Sequence, residues 1–206
     1  MRKRLTLLII IVLIVISGYS IFVSKTNHHN AETYIESNTY FFGNITQVNC
    51  SMKFLGDDII EKDVKLNIYE LANLKKGKLY ELKLDPIENV PSERLSLGYF
   101  YVQEDKIYKI VPTEENLRKI KTSEELPSDS IIVCQDKEIK DVLGKDEQGY
   151  HQYMVINGEK REYHAYNNQV STGYYESFTW EKEKGLINYR SGYGAERDSI
   201  ELQVLY

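Results

Sequence analysis

The chain has 206 residues, with 26 Lys and Arg against 31 Asp and Glu, a formal net charge of −5 and a hydrophobic share of 42%. That length suits one domain, or two small subdomains sharing a core. The acidic balance excludes a role built on gripping phosphate backbones, so nucleic acid is not an expected partner.

Arg2, Lys3 and Arg4 form a positive cluster, and no further charge follows until Lys25; between them runs LTLLIIIVLIVISGYSIFV, residues 5–23. At about 1.5 Å per residue this run spans roughly 28 Å, close to the hydrocarbon thickness of a bilayer. The sequence therefore predicts a signal anchor over residues 1–24, a single transmembrane pass with the basic end in the cytoplasm and the C-terminal domain extracytoplasmic. Cleavage of the same segment as a signal peptide is the alternative, and it would leave a secreted domain. Gly18 and Ser20 are small enough for cleavage, but Ile21, Phe22 and Val23 carry the apolar run past them. Without its three N-terminal basic residues the exported part carries −8. The abundance of Lys, Ile, Asn and Tyr points, by composition alone, to a bacterial chain.

Residues 25–38 are polar and read as a stalk. His28 and His29 stand side by side on it with no further metal ligands near them. Residues 39–111 form a β-rich first half. TYFFGNITQVN reads as a strand broken by Gly43, and KLNIYEL and KLYELKL are joined by a turn ending at Gly77. LGYFYVQEDKIYKIV reads as a hairpin with its tip at Glu104-Asp105. Residues 112–130 are a charged, non-alternating connector. Thr113 caps a short helix there, with acidic residues in its first turn, and Pro127 stops anything longer.

Residues 131–206 contain a five-stranded antiparallel meander. YHQYMVI and REYHAY flank an Asn157-Gly158 turn, GYYESFTW and LINYR flank EKEKG, and DSIELQVLY alternates to the end of the chain. The fold class predicted is all-β with minor α, either barrel-like or two packed sheets. Gly192-Tyr193-Gly194 is not a dinucleotide loop. The third glycine position holds Arg197, and the residues that follow alternate as a strand where a helix is required. The glycines are expected to shape the approach to the last strand.

One arrangement offers metal chemistry. If Asn157 and Gly158 are the two loop residues, His151 lies directly opposite His164, with Glu162 on the same face. Two imidazoles and a carboxylate suit zinc or iron with open positions for water or substrate. A four-residue NGEK turn instead pairs Tyr153 with His164 and moves His151 away, leaving ordinary strand surface. In GYYESFTW, Phe178 and Trp180 share an inward face, which leaves Tyr175 as a surface contact. Arg190 and Arg197 are candidates for a small-anion or rim contact. Cys50 and Cys134 lie in strand-like contexts; outside the cytoplasm they can close a disulfide spanning about 85 residues, or remain two buried thiols.

These observations favour a membrane-anchored extracytoplasmic binding module for a protein, peptide or glycan. A metal-dependent enzyme built on His151, Glu162 and His164 is one alternative. The other is a carrier for a small apolar ligand, which requires a cavity left open inside the meander.

Overall fold

Strand period dominates from Gln47 onward, and the elements follow it. The computed structural model describes residues 38–141, 149–169, 173–194 and 198–206. In chain order they hold β1 (Gln47–Leu55), β2 (Ile59–Asn73), β3 (Lys78–Leu84), β4 (Ser96–Val102), β5 (Lys106–Ile110), α1 (Glu114–Ser123) and β6 (Ile131–Gln135). There follow β7 (Tyr150–Asn157), β8 (Lys160–Asn167), β9 (Tyr174–Glu181), β10 (Gly185–Tyr193) and β11 (Ser199–Val204). The predicted anchor, and the predicted stalk up to residue 37, lie outside the described residues. Among the described residues no helix is long and apolar enough to cross a membrane.

All eleven strands join one antiparallel sheet in the order β6-β5-β4-β3-β2-β1-β11-β10-β9-β8-β7. The sheet is barrel-like and nearly closed, so the two-sheet alternative is set aside. The five-stranded meander is present as β7 to β11, and the β1–β11 ladder, from Cys50↔Val204 to Leu55↔Ser199, joins it to the first half. Two apolar clusters result from the alternation. Inside the barrel lie Phe54, Leu66, Leu82, Phe100, Val133, Phe178 and Trp180 among others. On the outer face, α1 covers Leu79, Tyr101 and Ile110 with Ile120, which is completely buried.

The helix forms where its caps predict. Thr113 accepts a hydrogen bond from the Asn116 N–H at 3.1 Å, and Glu124 ends the helix in the left-handed region with φ 54°. The Glu124 carboxylate then accepts the N–H groups of Lys75 and Lys76, tying the helix end to the β2–β3 turn.

Two local expectations are corrected. TYFFGNITQVN is not one strand: residues 39–43 turn tightly, and β1 begins only at Gln47. Tyr40, Phe41 and Phe42 are buried and plug one end of the barrel, with Phe41 4.5 Å from the Tyr80 ring and 5.9 Å from the Trp180 ring between centroids. Their aromatic character suits a strand, but it is used here to seal the barrel. Gly192, in turn, belongs to β10 and pairs with Ser199 at the start of β11. A Cβ on Gly192 would stand 2.5 Å from the Ser199 Cβ, so the residue is glycine because two backbones approach closely.

The two ends of the sheet meet at a seam. Beyond β6 the chain turns back, and Ile139 exchanges two 3.1 Å backbone hydrogen bonds with Met154 of β7. Arg161 of β8 fastens the seam. Its guanidinium donates to the carbonyls of Gln135, Gly158 and Lys160 and to Asp136 at 2.7 Å, and stacks 4.6 Å from the Tyr40 ring centroid.

Candidate functional site

The barrel has unlike ends. At the plugged end, Asn38 donates to the Gln103 carbonyl at 2.8 Å and the Thr39 carbonyl accepts from Glu183 N–H. At the other end, where β5 finishes and β6, β7 and β9 begin, side chains leave a cavity of about 490 Å³. Its walls are apolar and aromatic, with Ile131, Tyr163 and Ala165 on the barrel side and Val111, Pro112 and Tyr150 at the mouth.

The strand period places two charges on the cavity floor. Glu176 has the inward parity of Phe178 and Trp180 and is only 6% exposed. Lys109 pairs with Phe100 in the β4–β5 ladder and has the inward parity of Ile107. The two side chains meet across the lumen, with Lys109 Nζ 2.5 Å from each oxygen of Glu176. The Tyr174 hydroxyl donates to Glu176 Oε1 at 3.0 Å. The Tyr189 hydroxyl lies 3.3 Å from the same oxygen and 3.0 Å from Ser191 Oγ. Burial, and then the nearby Glu176 charge, push the Tyr163, Tyr174 and Tyr189 phenols well above their ordinary value, so all three remain protonated donors.

At the mouth, His151 is held by its neighbours. Its Nδ1 faces Asp141 Oδ2 at 2.6 Å, its Nε2 faces Asn168 Nδ2 at 2.8 Å, and its ring stacks on Tyr166 with centroids 4.7 Å apart. A carboxylate only accepts, so the hydrogen of that contact sits on Nδ1.

The direct opposition of His151 and His164 is corrected. The turn residues are Gly158 and Glu159, Asn157 pairs with Lys160, and Tyr153 pairs with His164. Gly158 has φ 58°, whereas Glu159 is not among the residues of positive φ. That is the II′ pattern, with glycine at the first central position, and it shifts the register by two residues from the Asn-Gly I′ reading. His151 therefore faces Tyr166, His164 packs 5.1 Å from Tyr153, and Glu162 pairs with Val155 while accepting from Asn157. Burial holds the His164 imidazole below its ordinary pKa. Among the described residues, no group of three or more His, Cys, Asp and Glu side chains is arranged to hold a metal.

The other predicted site residues are also placed. Cys50 on β1 and Cys134 on β6 are buried free thiols, separated in the sheet by four intervening strands, so the disulfide expectation is not met. Burial raises the Cys50 thiol to about 11 and pushes Cys134 up as well, leaving both protonated. Tyr175 and Arg190 come together on the outer face, with the guanidinium 5.0 Å from the ring centroid and Arg190 Nε 2.8 Å from Glu201. Arg197 lies outside the described residues. The residues that sequence reasoning missed are Lys109, Glu176 and Asp141. A signal was present for Glu176, as a carboxylate in the inward register of an otherwise aromatic strand face. No protein-family model matches the chain, and no match was found among curated proteins or solved structures.

Proposed function

We propose that this domain is a binding module that takes a small, largely apolar ligand into its end cavity without transforming it, with residues 5–23 tethering it to the outer face of a membrane. The observation that carries the reading is an open cavity whose floor holds a buried ion pair. Its volume falls within the range of about 300–1,000 Å³ common to ligand pockets, and apolar walls around a few convergent polar groups are what such pockets share. Larger antiparallel barrels hold ligands in this way. Stability alone gives little reason for the pair, because replacing a buried ion pair with apolar side chains is often neutral or stabilising by about 1–4 kcal/mol. A recognition role accounts for its position.

The test is titration with N-phenyl-1-naphthylamine, an uncharged fluorophore that brightens in apolar surroundings. Saturable binding at one site per chain is expected. Ala165 shares the inward face of β8 with its partner Glu176, so Ala165→Phe projects a ring into the cavity. That variant should lose at least tenfold in affinity while keeping its thermal midpoint within a few degrees. Unchanged binding by a folded Ala165→Phe protein would exclude the cavity. It would favour the second reading, in which the preformed Tyr175–Arg190 pair on the outer face receives a protein, peptide or glycan.

A further inference from the structure

We infer that the end cavity selects an uncharged ligand with a hydrogen-bond acceptor at the end that reaches Lys109. The inference rests on the end-cavity reading and adds the chemical class of the ligand.

The floor is asymmetric. The Lys109 side chain is 23% exposed and that of Glu176 only 6%, so the lysine is the member of the pair that reaches the open space. The Glu176 oxygens are already engaged, Oε1 by Lys109 and Tyr174 with Tyr189 close by, and Oε2 by Lys109. An ammonium has three hydrogens, and a carboxylate on one side of it leaves at least one for another acceptor. A ligand in the cavity therefore meets a donor.

The charge balance then chooses among donor-seeking ligands. Lys109 and Glu176 neutralise each other at 2.5 Å, and the remaining walls are apolar, aromatic or amide except for His151 at the mouth, which is held by the Asp141 carboxylate. A carboxylate ligand reaching Lys109 would stand beside the Glu176 carboxylate, whose side chain is only 6% exposed, and like charges there repel. An ammonium ligand would meet Lys109 itself. A ketone, ester, amide or ether oxygen meets the free donor with neither penalty.

The experiment is displacement of N-phenyl-1-naphthylamine at pH 7 by four naphthalenes of one skeleton: 2-acetylnaphthalene, 2-ethylnaphthalene, 2-naphthoate and 2-(aminomethyl)naphthalene. The ketone should bind at least tenfold tighter than either charged compound and several-fold tighter than the ethyl compound. In Lys109→Met/Glu176→Gln, which removes both charges together, ketone and ethyl affinities should converge while the ethyl compound still binds. Equal or tighter binding of the naphthoate or the amine to the wild-type chain overturns the inference but leaves the cavity reading standing. So does a ketone preference that persists in the double variant. Failure of the fluorophore and all four compounds to bind removes the cavity reading itself. The wild-type series decides the matter even where the double variant does not fold.

Discussion

Arg161 shows how much one buried cation can organise. Its five donors are pre-set in a planar fork, and the fork meets three carbonyls, one carboxylate and one aromatic face from separate parts of the chain. Arg161→Ala removes the donors of three part-buried carbonyls together with the cover over the Tyr40 ring, and is expected to cost about 3 kcal/mol in denaturant unfolding. Its partner behaves differently. The Asp136 side chain is 73% exposed, so Asp136→Asn should cost under about 1 kcal/mol. The hydrogen bond from Arg161 holds the Asp136 carboxyl below its usual value, with Tyr40 adding to the effect. A carboxyl depressed in the folded state contributes stability that is complete above its unfolded value, near pH 3.9, and is lost as pH falls through the lowered folded value. Acid titration of Asp136→Asn should lack that component, and an identical acid profile would mean that the pair is not formed in solution.

At the scale of elements, α1 depends on its caps and its buried stripe, since ten residues are too few for a helix to persist alone in water. Thr113→Ala removes the bond to Asn116 N–H and should cost about 1 kcal/mol, measured by thermal or urea unfolding; no loss would mean that packing of Ile120 alone holds the helix. This helix was legible in the sequence because capping is local: a threonine, two acidic residues and a later proline suffice. The hairpins around residues 103–106 and 182–184 were legible for the same reason. The β7–β8 hairpin was legible as a hairpin, and its register only as one of two alternatives, of which the NGEK pairing of Tyr153 with His164 is the one formed. Asn157-Gly158 suits the centre of a I′ turn and Gly158 the first central position of a II′ turn, and the φ of Asn157, which is not positive, decides for the second, so the pairing of His151 passed from His164 to Tyr166. Residues 39–43 misled for another reason. Aromatic residues suit strands and cores alike, and nothing local reveals that the barrel behind them has an end to be sealed.

The whole molecule explains why the site was the least legible part. Lys109 and Glu176 are 67 residues apart and lie on strands four positions apart across the closing seam. Each reads in isolation as a strand charge, and only the curvature of one eleven-stranded sheet turns both side chains toward a shared interior. The same curvature leaves the lumen filled at the plugged end by Phe41, Phe42 and Trp180 and open at the other, where Ala165 is too small to reach across. The parity of Glu176 could be read from its own strand, but a cavity could not, because its volume depends on how the two ends of the sheet meet. The most direct measurement is an NMR titration of the full chain with 2-acetylnaphthalene, following the methyl signals of Ala165 and Ile131 together with the backbone amides of Ser177, Arg190 and Gln203. The account predicts saturable shifts at Ala165 and Ile131 and none at the three outer-face amides. Shifts confined to the outer-face amides, or no saturable shift at any of these positions, would contradict it.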